Sequence, residues 1–155
     1  MKAPLNIGDR VPNFALSDQN GKVFNLEEEL IDKKLVLFFY PKDDSLVCTQ
    51  QACAFRDAYS ELAVYGARVI GINSGTVESH QNFSQNQRLG MTLLSDPHSV
   101  VLNLFGVKNW LFLTGRETFI LDQTGIILFK YRNLFSGKSH LKKVLKFLQS
   151  NAQTQ

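Results

Sequence analysis

The sequence predicts an α/β fold, and three observations predict it. Leu35-Val36-Leu37-Phe38-Phe39 is an apolar run of strand length, ended by Pro41. The next segment carries Ala52, Phe55, Tyr59 and Leu62 at helical spacing and stops at Gly66, a residue suited to the left-handed position after a helix. Arg68-Val69-Ile70-Gly71-Ile72 is then a second apolar strand. Strand, helix and strand joined by short loops make a βαβ unit.

The other elements follow from local chemistry. Val11 to Leu16 and Lys22 to Leu26 flank Asn20-Gly21, a hairpin turn. Asn25, with Glu28 three residues on, has the form of a capping box opening a short helix with an acidic first turn. Leu35 to Tyr40, apolar on both faces, suits a central strand. The following helix spans about Cys48 to Tyr65. Thr76 starts a second helix, which runs to about Arg88 and is closed by Gly90. Thr92-Leu93-Leu94 is a short strand, and Asp96-Pro97 pairs a cap with a first-position proline for a helix ending before Gly106. Val107 to Gly115 is a loop or edge segment whose Trp110-Leu111-Phe112-Leu113 is core or an exposed apolar patch suited to a ligand or partner. Thr118 to Asp122 and Ile126 to Tyr131 form a second hairpin. The last helix, from Ser139 to Gln149, carries Leu141, Val144, Leu145 and Leu148 on one face and Lys142, Lys143 and Lys146 opposite. This order fits a thioredoxin-like fold with an N-terminal β-hairpin extension, a single domain over residues 1–155.

Composition narrows the function classes. The chain has 17 basic and 14 acidic residues, and a formal charge of +3 is too mild to argue for nucleic acid. No apolar stretch approaches the ~20 residues of a membrane helix, and the start of the chain lacks an apolar signal region, so the expectation is a cytoplasmic protein. His80, His98 and His140 lack ligand spacing and read as surface or capping residues, and Asp43-Asp44 reads as turn chemistry. Two cysteines make neither a disulfide framework nor a zinc site. No metal and no cofactor is expected.

The cysteines carry the chemistry. A free cysteine titrates near pH 8.5, and the positive end of a helix with a nearby cation favours the nucleophilic thiolate. Cys48 shares the core-facing stripe of its helix, with Ala52, Phe55, Tyr59 and Leu62 at +4, +7, +11 and +14, but sits at the helix's open end. Cys53 lies about 140° round the helix, on the stripe of Arg56, Asp57 and Ser60.

Pro41-x-x-x-Ser45-x-x-Cys48 resembles the peroxiredoxin motif Pro-x-x-x-Thr/Ser-x-x-Cys, and the longer string from Tyr40-Pro41-Lys42-Asp43-Asp44 to Cys48-Thr49-x-x-Ala52-Cys53-x-Phe55-Arg56 resembles the peroxiredoxin Q or bacterioferritin comigratory protein branch. The resemblance extends from Gly8-Asp9-Arg10-Val11-Pro12 through Leu94-Ser95-Asp96-Pro97 and Phe105-Gly106-Val107 to Arg116-Glu117-Thr118-Phe119. It implies a thiol peroxidase for hydrogen peroxide and organic hydroperoxides, with Cys48 as peroxidatic nucleophile and Cys53 as resolving thiol. It also implies Ser45 as a hydrogen-bonding group, Pro41 as a shield, and Arg116 as the cation beside the thiolate. Thioredoxin or a similar dithiol would reduce the Cys48–Cys53 disulfide of a monomeric chain. Leu46-Val47 departs from the branch's usual Pro-Gly, and Ser45 replaces its commoner threonine. A disulfide reductase is disfavoured because its exchange motif is C-x-x-C. A thioredoxin-fold binding or chaperone module with idle cysteines is the alternative.

Overall fold

The computed structural model describes residues 4–107 and 115–152, so the Trp110-Leu111-Phe112-Leu113 cluster lies outside the described residues. The described residues form seven strands and six helices, in the order β1 (Ala15–Asp18), β2 (Val23–Asn25), α1 (Leu26–Glu29), β3 (Lys34–Phe39), α2 (Leu46–Asp57), α3 (Tyr59–Val64), β4 (Ala67–Asn73), α4 (Val77–Gln87), β5 (Thr92–Ser95), α5 (Val100–Phe105), β6 (Glu117–Leu121), β7 (Ile127–Arg132) and α6 (Gly137–Ala152). The strands form one sheet in the order β2-β1-β5-β4-β3-β6-β7. β3 is parallel to β4 and antiparallel to β6, and β4 is parallel to β5. The N-terminal hairpin extends this sheet through an antiparallel β1–β5 contact, Ser17 facing Ser95.

The two-residue period of β3 builds both cores. Leu35, Leu37 and Phe39 point to one face, with Phe14 and Phe24 of the N-terminal segment and Leu102 and Phe105 of α5. Val36, Phe38 and Tyr40 point to the other, with Cys48, Ala52 and Phe55 of α2, Phe83 of α4 and Val144 and Leu148 of α6. Every residue from Leu35 to Tyr40 is fully buried. Gly71 of β4 is required by this packing, because a Cβ there would meet the Phe38 ring at 2.8 Å and a Leu93 methyl at 2.9 Å. Removing the Phe38 ring is worth about 3–5 kcal/mol, the range for a large aromatic lost from a packed core.

Several expected boundaries move, each for a local reason. The Asn25 side chain makes no cap bond; Asn13 Oδ1 accepts the Glu27 N–H instead, so the capping box does not form. The expected helix over 48–65 is two helices, α2 and α3, which meet at Ala58. The break turns Tyr59 out to 62% exposure while Leu62 stays buried, so Tyr59 leaves the apolar stripe. α4 is capped by Thr76 as expected, its oxygen accepting from Ser79 N–H, but Arg88, at φ +50°, takes the left-handed closing position ahead of Gly90. Pro97 does not open α5. The Asp96 carboxylate reaches further, accepting the N–H groups of Val100, Val101 and Leu102 at 2.9–3.0 Å. Among the described residues no helix is long and apolar enough to cross a membrane.

Candidate active site

β3 delivers the chain to a turn at 41–45, from which α2 starts with Leu46. Ser45 holds the N-cap position with an extended backbone, and Thr49 N–H donates to its carbonyl at 2.8 Å. Its hydroxyl donates to the Lys42 carbonyl at 3.2 Å and makes neither a cap bond nor a bond to Cys48. The sulfur contact implied for Ser45 is therefore not formed in this state. Cys48 falls in the first turn of α2, where backbone N–H groups lack intrahelical acceptors. Its side chain is fully buried.

Arg116 reaches the same place from across the sheet. Phe39 pairs with Glu117, so the antiparallel register puts Arg116 beside the end of β3. Its Nη2 donates to Cys48 Sγ at 3.1 Å. Nε donates to the Leu134 carbonyl at 2.9 Å, and Nη1 donates to Gln51 Oε1. The guanidinium is 3% exposed, and so it is held by its partners and largely removed from solvent screening. Because a guanidinium only donates, the Gln51 oxygen must face it. Gln51 Nε2 is then left buried with no partner among the described residues. A cleft of about 270 Å³ opens above, lined by Pro41, Ser45, Leu46, Val47, Arg116 and Phe135 among others. Leu46 and Phe135 form its exposed apolar rim, at 75% and 81%.

Cys53 faces elsewhere. It is half-buried, and its thiol donates to Gln87 Oε1, the last residue of α4, at 3.7 Å. Arg56, one turn on, donates to the Gln87 carbonyl. Both cysteines are free.

Asp43 lies in a turn as expected, but it is 6% exposed and its carboxylate is held by the side chains of Tyr40, Asn73 and His80. Two expectations are corrected around this centre. His80 is fully buried, between Asp43 Oδ2 at 2.6 Å and the Leu94 carbonyl at 3.1 Å. His140 is also fully buried. Its Nε2 donates to the Asn133 carbonyl at 2.9 Å, and its Nδ1 accepts from the Thr118 hydroxyl at 2.7 Å. Burial pulls the His140 imidazole down to about 4; its bond to Asn133 opposes the shift and the Arg116 charge adds to it. Gln51, unlike these three, has a sequence signal, lying three places after Cys48 and so on the same helical flank. Among the described residues no group of three or more metal-ligating side chains comes together.

The AhpC/TSA family model matches residues 7–130. The chain is 41% identical over 150 residues to chloroplastic peroxiredoxin Q of Populus jackii, covering 96% of this chain and 70% of that one. The Arabidopsis thaliana peroxiredoxin Q is 43% identical, with 96% and 69% covered. Among solved structures, peroxidoxin BcpB from Mycobacterium tuberculosis superposes with a TM-score of 0.88 at 36% identity, covering 93% of this chain and 96% of that one. The bacterioferritin comigratory protein of Xanthomonas campestris, solved in work on its alkyl peroxide reduction, gives 0.81 at 29%, covering 90% and 92%. The fold of this chain is the thioredoxin-like one these proteins share.

Proposed function

The chain belongs to the AhpC/TSA family and, within it, to the peroxiredoxin Q branch, and from that premise we propose how its residues divide the work of a thiol-dependent peroxidase. Cys48 is the nucleophile. Its thiolate pair attacks one peroxide oxygen, the S–O bond forms as the O–O bond breaks, and the second oxygen leaves as water or alcohol after taking a proton. The Cys53 thiolate then attacks the sulfenic sulfur, expelling the oxygen as water and forming the Cys48–Cys53 disulfide. A dithiol such as thioredoxin returns two electrons and two protons.

The observation that carries this reading is the 3.1 Å contact between Arg116 Nη2 and the buried Cys48 sulfur. A guanidinium there sets a permanent positive charge beside the reacting sulfur and offers planar donors to charge developing on the leaving oxygen. A module with idle cysteines gives no reason to bury that charge. Pro41, on the cleft wall, shields the sulfur, and Ser45, one turn away, joins once its hydroxyl leaves the Lys42 carbonyl.

Cys48, Cys53 and Arg116 all come from one chain, which supports a monomeric enzyme, and the single seven-stranded sheet supports one domain over 1–155. Thiols that must be regenerated suit a reducing compartment, here read as the cytoplasm. The test is a first-turnover assay on reduced protein. Cys48→Ser consumes no peroxide, while Cys53→Ser forms one sulfenic acid per chain and then stalls or over-oxidises. Rapid peroxide consumption by Cys48→Ser overturns the assignment.

A further inference from the structure

The loop that carries Pro41 and Ser45 is tied down by a residue not yet given a role. Asp43 is the buried side chain at its centre. Its Oδ1 accepts from Tyr40 OH at 2.6 Å and Asn73 Nδ2 at 3.4 Å; its Oδ2 accepts from Ser79 Oγ at 2.7 Å and His80 Nδ1 at 2.6 Å. These partners come from the residue just past β3, the end of β4 and the first turns of α4. His80 is fixed in turn, its Nε2 donating to the Leu94 carbonyl of β5 at 3.1 Å. Asn73 spends its oxygen on Gly75 N–H at 2.7 Å and turns its amide nitrogen toward Asp43. Burial alone pushes the Asp43 carboxyl up, but His80, Tyr40 and Ser79 outweigh it and hold the group below the ordinary aspartate range.

The next residue shows why an anchor is needed. Asp44 takes a left-handed backbone, φ +63°, between Asp43 and the N-cap of α2. A non-glycine residue there persists where its surroundings determine the conformation. Among the described residues no hydrogen bond holds the Asp44 side chain, whereas the Asp43 carboxylate beside it is gripped by Tyr40, Asn73 and His80.

We propose that Asp43 and His80 are positioning residues of the peroxidase: the Asp43–His80 pair pins the 41–45 loop to α4, so that Pro41 and Ser45 stay over Cys48. This rests on the peroxidase reading for its consequence but not for its existence. It separates geometry from thiolate chemistry. A released loop misplaces the groups that meet the peroxide, while it uncovers a sulfur that is fully buried when the loop is closed.

The test compares two reactions of Cys48 on folded Asp43→Ala, each read above that variant's own thiolate midpoint. Hydrogen peroxide consumption is expected to fall on the order of 100-fold, the scale of a misplaced reacting geometry. Alkylation of Cys48 by iodoacetamide, which needs only thiolate and access, is expected to rise. A general loss of stability does not move the two in opposite directions. Asp43→Asn, which keeps an acceptor for Tyr40 and a partner for His80, is expected to recover most of the peroxide rate. If Asp43→Ala does not fold, Ser79→Ala removes one of the bonds at a half-exposed position and is expected to move both rates the same ways, less far. Peroxide and alkylation rates within about twofold of wild type in the folded variant overturn the proposal, as does an Asn variant no better than Ala. Should the wild type itself consume no peroxide, the functional reading fails, and the alkylation rates alone decide the anchor.

Discussion

Arg116 and Cys48 stand 68 residues apart in sequence and 3.1 Å apart in space, because the antiparallel β3–β6 register brings the start of β6 to the end of β3. The guanidinium is aimed rather than merely near, since the Leu134 carbonyl and the Gln51 amide oxygen hold its other two nitrogens. Arg116→Met is expected to slow the peroxide step by about 100- to 1,000-fold, the usual cost of one preorganised donor group. Lys restores the charge but not the planar fork, so it is expected to recover only part of the rate. A peroxide rate for Arg116→Met equal to that of wild type removes Arg116 from the mechanism. Gln51→Glu approaches the contact from the other side: a carboxylate competes with the sulfur for the guanidinium, so the peroxide rate is expected to fall with the fold intact.

Gly137, the first residue of α6, sits against the first turns of α2. A Cβ there would lie 2.5 Å from the Val47 carbonyl oxygen and 2.7 Å from Gln51 Cβ. Backbone cannot yield as a flexible side chain does, so Gly137→Ala is expected to cost the reduced protein about 1–3 kcal/mol. Cys48 and Cys53 are five residues apart on α2, too far for a disulfide while the helix is intact, so the disulfide form is expected to unwind the start of α2 and escape most of that clash. Urea unfolding of both forms checks this; an equal loss in each rules out the contact as specific to the reduced state.

His140 sets an acid limit. In the fold it is neutral, with both nitrogens satisfied, and titrates at about 4 rather than at its usual 6.5. Above pH 6.5 neither the folded nor the unfolded chain binds this proton. As pH falls below that value the unfolded chain takes it up and the folded one does not, so stability drops, and the loss is complete near pH 4. At pH 4.5 the loss from this group is about 2.5 kcal/mol. His140→Gln keeps a donor for Asn133 and an acceptor for Thr118 without the titration. Urea midpoints at pH 7.5 and 4.5 are expected to converge for the variant, and equal pH dependence in the two proteins removes His140 as the cause.

The βαβ unit and both hairpins are legible in the sequence because periodicity and turn chemistry are local: Leu35 to Phe39, Asn20-Gly21 and the apolar face of α6 each announce themselves. The break at Ala58 is not, since no proline or glycine marks it and the exposure of Tyr59 follows from packing. The pairing of Cys48 with Arg116 is legible only through the motif resemblance, for no local pattern encodes a β3–β6 register. Asp43, His80 and His140 are hidden for the same reason. A polar residue beside polar neighbours, as Asp43 is between Lys42 and Asp44 and His80 between Ser79 and Gln81, reads as surface until its distant partners are known. Nothing in the structure explains Val47 where the branch usually has glycine.

Cys48 and Cys53 both lie within the unbroken α2, and that is what makes their chemistry a structural event. Residues five apart on an α-helix have Cα atoms roughly 8.6 Å apart, from a rise of about 7.5 Å and a chord of about 4.3 Å. A disulfide tolerates at most about 7 Å, and the two side chains point about 140° apart. The bond cannot form while the first turns of α2 stay helical. Cys48 must leave Arg116 and its buried site, and Cys53 must leave Gln87. Oxidation is therefore expected to unwind α2 from about Leu46 to Ala54, a loss of one to two turns at a helix end, where opening costs least. The break at Ala58 confines the change, because α3 begins its own hydrogen-bonding there and Leu62 stays in the core. Unwinding also brings the disulfide to the surface, where a dithiol reductant can attack it. Amide hydrogen exchange on the reduced and disulfide forms decides the matter: protection is expected to vanish over Thr49 to Ala54 and to persist in α3. Unchanged protection across Thr49 to Ala54 means that the bond forms by another route.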